Sequence, residues 1–341
     1  MTRVVLHIGA PKTGTSFIQS VLSNNRDLLA ERGVLWPGKV WSDQVRAVED
    51  LRDAARDGAQ SAPRWDAVVR QIDGFSGSAA IVSMEWLCLG STEMAQRAMA
   101  TLAGHEVHVV LSLRDLARAI PAQWQESTQN GFGWTYRKFV TGLTADNPYD
   151  NPPGGHFWTN QDWGRMTRTW APLVPPARFW AVTVPPAGSP TDLLWQRFCE
   201  ACGLDPSGYT LEGWPNESLG AASAEVMRRL QVARRDDGPN PRHRAKLKHR
   251  LAKQTLAQHR KQEPTLVMPP DIHQWAAQTT RRLVGEVQVA HPTLVGDWAD
   301  LDPVRPVLDE RSVTDPSSID DGVLLDAALF GLLGLTRPRK R

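Results

Sequence analysis

The opening thirty residues constrain this chain more than any other part of it. An apolar run, RVVLHIG (3–9), leads into the glycine-rich turn GAPKTGTS (9–16), and residues 15–31 carry helical periodicity. Strand, glycine-rich turn and helix is the arrangement that turns a helix N-terminus into a cradle for an oxyanion. The nucleotide loop of kinases and ATPases reads G-x-x-x-x-G-K-[ST]. Here Gly9 and Gly14 keep that spacing and Ser16 keeps the hydroxyl, but Thr15 stands at the lysine position. The lysine of this loop is Lys12, at its crown. A loop of this kind can wrap one phosphate with the N–H groups of Thr13 to Ser16 and the hydroxyls of Thr13, Thr15 and Ser16. Lys12 then projects past that phosphate, toward a second oxyanion attached to it.

Three more apolar runs read as buried strands: 79–85, 106–114 and 177–185. Helical patterns lie between them, at 92–103, 116–129, 160–171 and 191–202. Alternation of this kind predicts an α/β fold of the P-loop type, three layers with a central parallel sheet flanked by helices. Ligands in such sheets sit beyond the carboxyl ends of the strands. That rule brings Gly9–Ser16, Glu85 and Arg114–Asp115 to one sheet edge. Residues 130–158, rich in Gly, Pro, Asn and aromatics, read as a long surface excursion near that edge, a lid or acceptor loop. From about 218 the character changes to basic helices, including PRHRAKLKHRLAKQTLAQHRKQ, and the chain closes on the apolar DDGVLLDAALFGLLGLTRPRKR. The expected organisation is a core over 1–217 with a mainly helical, basic extension over 218–341 packed on it.

Bulk properties exclude several classes. With 39 Lys+Arg against 37 Asp+Glu, a formal net charge of +2, the molecule as a whole does not advertise nucleic acid as a partner. The N-terminus runs straight into a strand without the features of a signal peptide, and no apolar run reaches the roughly 18 residues of a membrane span. A soluble cytoplasmic protein is the expectation; the C-terminal helix with its basic RPRKR end suits peripheral contact with an anionic membrane, but packing against the body is the first expectation for it. Cys199 and Cys202 form a C-x-x-C without two further ligands at zinc spacing, so they read as buried structural thiols and no metal is expected. Trp is abundant, 14 against 3 Tyr; most belong to the core, and some suit stacking on sugar rings.

The segment HIGAPKTGTSFIQ resembles the 5′-phosphosulfate loop, P-K-[ST]-G-[TS]-[ST], of sulfotransferases that use 3′-phosphoadenosine 5′-phosphosulfate (PAPS). The segment LSLRDLARAIPAQWQES resembles their 3′-phosphate segment, with Arg114 in the arginine position and Ala122 where that family has a serine; Arg118, Ser112 or Gln123 is placed to substitute. Together with RDLAR.IPA.WQE, FW..QD....T..W and NESLG, the chain is similar over about 1–220 to a bacterial subgroup of sulfotransferase-like proteins. An Ala-, Arg- and Trp-rich composition agrees with a GC-rich bacterial genome. The resemblance implies a transferase that passes a sulfuryl group from PAPS to an acceptor hydroxyl on a carbohydrate or glycolipid, releasing 3′-phosphoadenosine 5′-phosphate. It places Pro11, Lys12, Thr13, Gly14, Thr15, Ser16, Arg114 and Arg118 on the donor, with Lys12 stabilising charge on the leaving oxygen. An acceptor hydroxyl needs a base, and Glu85, at the end of the second of these strands, and His156, in the excursion, are the two candidates. His7, inside a strand, reads as a core histidine. Two rivals stay open: a P-loop kinase, which Thr15 at the lysine position disfavours, and a nucleotide-binding protein of this fold without turnover.

Overall fold

The apolar runs become strands because their alternate residues face two helical layers. The computed structural model describes residues 2–212, 218–238 and 241–336. Its strands are β1 (Arg3–Gly9), β2 (Val34–Leu35), β3 (Ala79–Ser83), β4 (Glu106–Leu113), β5 (Phe179–Thr183), β6 (Thr265–Leu266), β7 (Thr293–Val295) and β8 (Ser312–Val313). Six of them form one sheet in the order β2-β3-β1-β4-β5-β7, and every pairing in it is parallel. The architecture is therefore α/β, with helices flanking a central parallel sheet.

The helices are α1 (Thr15–Asn24), α2 (Arg26–Glu31), α3 (Trp41–Asp57), α4 (Pro63–Asp73), α5 (Thr92–Thr101), α6 (Leu116–Gln129), α7 (Tyr136–Leu143), α8 (Pro152–Gln161), α9 (Trp163–Trp170), α10 (Leu193–Cys202), α11 (Ala221–Ala233), α12 (Pro241–Lys246), α13 (His273–Gln288) and α14 (Asp321–Thr336). Chain contacts divide the protein into two units, one of Met1–Asp115, Thr159–Trp214 and Thr279–Asp302, the other of Leu116–Trp158, Pro215–Gln278 and Pro303–Arg341. The chain thus alternates between units, in place of the single boundary expected near 217.

The first unit holds the six-stranded sheet. Val5, Ile81, Val110, Val182 and Val295, one from each of five strands, pack with Ile18, Val21 and Leu22 of α1 and with Trp195 and Phe198 of α10. Burial of side chains this size contributes about 1.5–3 kcal/mol each. Cys199 and Cys202 lie in the same core as free thiols, and burial pushes both well above the ordinary thiol range. Edge strand β7 comes from the region expected to be a helical extension.

The second unit is mainly helical. Residues 130–158 are not the open excursion that their Gly, Pro and Asn content suggested. They contain α7 and most of α8, and Tyr136, Phe139, Leu143, Phe157 and Trp158 are buried. The glycines serve close packing: a Cβ on Gly154 would lie 2.4 Å from the Gly142 carbonyl oxygen. In the same unit Ala222 of α11 packs with Leu324 and Ala327 of α14. The RPRKR end and the first two residues of NESLG fall outside the described residues. No helix among the described residues is long and apolar enough to cross a membrane.

Candidate functional site

Strand β1 lies between β3 and β4, where the chain switches from one side of the sheet to the other, and this is where such sheets open a crevice. Three segments leave the sheet there: the loop after Gly9, Glu85 after β3, and Arg114 after β4.

The loop's backbone takes positions that most residues avoid. Gly9 has φ 81°, Lys12 has φ 68° and Gly14 has φ 83°. Lys12 is one of two non-glycine residues with positive φ among the described residues. Such a conformation costs roughly 1–2 kcal/mol and must be held by its surroundings. The holding contacts are specific. Thr13 Oγ1 donates to the Ala10 carbonyl at 2.6 Å, and Gln161 Nε2 to the Pro11 carbonyl at 2.8 Å. Arg114 Nη1 donates to the Lys12 carbonyl at 3.0 Å. Each of the three peptides before Thr13 is gripped, and the crown is thereby fixed.

Helix α1 begins at Thr15, with Gly14 as its N-cap and no side-chain cap hydrogen bond. The first N–H groups of a helix have no intrahelical acceptor, so this end presents donors and a positive dipole to the loop's interior. Thr13 and Thr15 are buried, whereas Lys12 and Ser16 keep part of their surface. Among the described residues no group of three or more His, Cys, Asp or Glu is placed to hold a metal ion.

Glu85 sits against the loop's first glycine. A Cβ added to Gly9 would meet Glu85 Cβ at 2.7 Å and Glu85 Cα at 3.0 Å. The Glu85 carboxylate is oriented from behind: Gln19 Nε2 donates to Glu85 Oε2 at 2.9 Å and to the Ser83 carbonyl at 3.1 Å. Trp41 Nε1 donates to Gln19 Oε1 at 3.0 Å, which fixes which end of the amide faces Glu85. Gln19, Trp41 and Gln161 escaped the sequence reading. The signal was present for Gln19, a buried polar residue on the apolar face of α1, where a side-chain amide requires partners.

His7 lies below the loop with both ring nitrogens engaged, Nδ1 with Ser83 Oγ at 2.7 Å and Nε2 with Ser112 Oγ at 2.8 Å. Burial lowers its pKa to about 3. It is a neutral core histidine, and it accounts for Ser112 as a partner in the core.

Pro11, Lys12, Thr13, Gly14, Thr15, Ser16, Glu85 and Arg114 therefore come together in the first unit. Arg118, on α6, and His156, on α8, belong to the second. His156 packs against the Phe132 and Trp134 rings, with centroids 4.8 and 5.8 Å away, and its Nε2 lies 3.4 Å from Gln123 Nε2. Burial lowers its pKa, with Glu126 pulling the other way, so the ring is neutral near pH 7 and able to accept a proton.

No family model matches the chain, and no curated protein matches it. Among solved structures, a sulfotransferase from Alicyclobacillus acidocaldarius is similar with a TM-score of 0.44 and 12% identity, over 86% of this chain and 98% of that one.

Proposed function

We propose that the protein is a sulfotransferase that binds PAPS at the Gly9–Ser16 loop and passes its sulfuryl group to an acceptor hydroxyl on a carbohydrate or glycolipid. The observation that carries this reading is the crown of the loop. Lys12 is held in a left-handed conformation by contacts to its own carbonyl and the two before it, while Thr15 takes the place of the lysine that kinases use. A cation fixed beyond a one-phosphate cradle suits a 5′-phosphosulfate, whose second oxyanion is the group to be transferred. The residues fit such a donor: an uncapped helix end for the 5′-phosphate and Arg114 beside the loop for the 3′-phosphate, a charge-assisted contact. The P-K-T-G-T-S sequence of the loop, similar to that of PAPS-dependent enzymes, supports the same assignment, as does its likeness to a bacterial subgroup of them.

In this reading the acceptor oxygen attacks sulfur, the bond from sulfur to the bridging oxygen breaks, and the nucleotide leaves carrying that oxygen. Lys12 stabilises the charge that develops there, a contribution of about 3–4 kcal/mol for a well-placed donor. The acceptor proton passes to Glu85, whose carboxylate Gln19 holds beside Gly9. His156, neutral and half-buried, is the second candidate for that role. The test is labelled-sulfate transfer from PAPS to acceptors in a cell extract. Lys12→Ala is expected to depress turnover by about 10²–10³-fold and Glu85→Gln by about 10²–10⁴-fold with nucleotide affinity retained. Full activity of Glu85→Gln with loss in His156→Ala moves the base to His156. No transfer by the wild-type chain, with the nucleotide still bound, leaves a binding protein of this fold.

A further inference from the structure

The second unit contains a cleft of about 540 Å³ that the donor loop does not use. Its walls are the 131–135 segment, the end of α11 and the start of the helical stretch that follows. Lys138, Arg234, Arg235 and Arg244 line it together with the aromatic side chains of Phe132 and Trp134, and no carboxylate is among the described residues that line it. Phe132 and Trp134 are stacked, with centroids 4.3 Å apart and planes at 14°, and both remain partly exposed.

The cleft is built rather than incidental. A Cβ on Gly131 would lie 3.2 Å from Arg244 Nε, and one on Gly133 would lie 2.8 Å from Val232 Cγ2. The two glycines thus let the Arg244 side chain and α11 approach the aromatic pair. Arg228 Nη1 donates to the Gly133 carbonyl at 3.3 Å, and Gln231 Nε2 to the Thr128 carbonyl at 3.1 Å. Beside the cleft, Arg228 and Arg229 reach buried Glu225 at 2.6 and 3.1 Å, Lys248 reaches Glu126 at 2.7 Å, and Arg234 Nη2 lies 3.1 Å from His243 Nδ1.

We propose that this cleft is a binding site for an anionic sugar, a pyranose bearing a phosphate, sulfate or carboxylate. The cations attract the anionic group, and an aromatic face suits the apolar C–H face of a pyranose ring. Thr135 and Gln231 offer polar groups for its hydroxyls, the few placed polar contacts that orient a ligand in a site of this size. The inference does not rest on the donor loop, and either can fail without the other.

Isothermal titration of the full chain at low salt tests it with four probes: glucose 6-phosphate, glucuronic acid, glucose and inorganic phosphate. At least one of the two anionic sugars is expected to bind tenfold or more tightly than both glucose and inorganic phosphate. Which of them does so tells a phosphate or sulfate ester from a carboxylate. Arg244→Gln and the exposed Arg235→Gln should each lower that affinity about tenfold, as expected for loss of a charge-assisted contact. Trp134→Leu should weaken the sugar and leave inorganic phosphate unchanged. The proposal is overturned if neither anionic sugar surpasses inorganic phosphate, or if the two arginine variants bind as the wild type does. It is equally overturned if adenosine 3′,5′-bisphosphate displaces the sugar and itself depends on Arg244, which assigns the cleft to a nucleotide.

Discussion

Gly9→Ala is the substitution whose cost the structure defines most closely. Gly9 has φ 81°, so an alanine there pays about 1–2 kcal/mol for the left-handed conformation. Its Cβ would also meet Glu85 Cβ at 2.7 Å and the Glu85 backbone at 3.0 Å. Neither is the free end of a flexible side chain, so the strand end must shift, and overpacking of this kind costs about 1–3 kcal/mol. The two contributions give about 2–5 kcal/mol. Gly14→Ala is the internal control, with φ 83° but a clash only with Leu194 Cδ2 at 2.5 Å. A leucine methyl can rotate aside, leaving about 1–2 kcal/mol of backbone cost. Urea denaturation of the two variants and the wild type, followed by circular dichroism, measures the difference. A Gly9→Ala variant within about 0.5 kcal/mol of wild type, or one no less stable than Gly14→Ala, refutes the close approach of Glu85 to the loop.

Gln19→Leu removes the donor to Glu85 Oε2 and the acceptor for Trp41 Nε1; kcat should fall about tenfold, the size of one hydrogen bond to a charged group, with donor affinity unchanged. Recovery in Gln19→Asn, measured under the same saturating conditions, is not expected because the shorter amide cannot span both partners. His7 supplies a pH signature. Its folded pKa is lowered to about 3 from an ordinary 6.5, so the unfolded chain takes the proton first as pH falls. The associated stability is complete above about pH 6.5 and declines toward pH 3, by about 3 kcal/mol at pH 4.5. His7→Gln should flatten the fall in urea midpoint between pH 7 and 4.5; an unchanged slope contradicts a neutral buried His7.

Much of the sheet was legible because its long strands are apolar on both faces: β1, β3, β4 and β5 each appear as an uninterrupted run. Strands β2 and β7 are two and three residues long, too short for any periodicity, and β7 lies where basic helices dominate the composition. Residues 130–158 misled for a physical reason. Gly142 and Gly154 make room for each other's backbone, so glycines that signal a loop by composition are packing residues here. The site was legible at the strand ends, because a parallel sheet dictates where its loops collect. Its supports were not: Gln161 reaches Pro11 across 150 positions and Arg114 reaches Lys12 across 102, and only the fold makes such pairs neighbours.

The central claim, that the Gly9–Ser16 loop serves a 3′-phosphorylated adenylate and not a triphosphate, is tested most directly by one titration. Adenosine 3′,5′-bisphosphate is titrated into the full chain in the presence of a metal chelator, and ATP is titrated with magnesium in parallel. The account predicts one bisphosphate bound per chain without magnesium, at least tenfold tighter than magnesium–ATP, and tenfold tighter than adenosine 5′-monophosphate, the contribution of a charge-assisted contact to the 3′-phosphate. Tight, magnesium-dependent ATP binding that ignores the 3′-phosphate would contradict it.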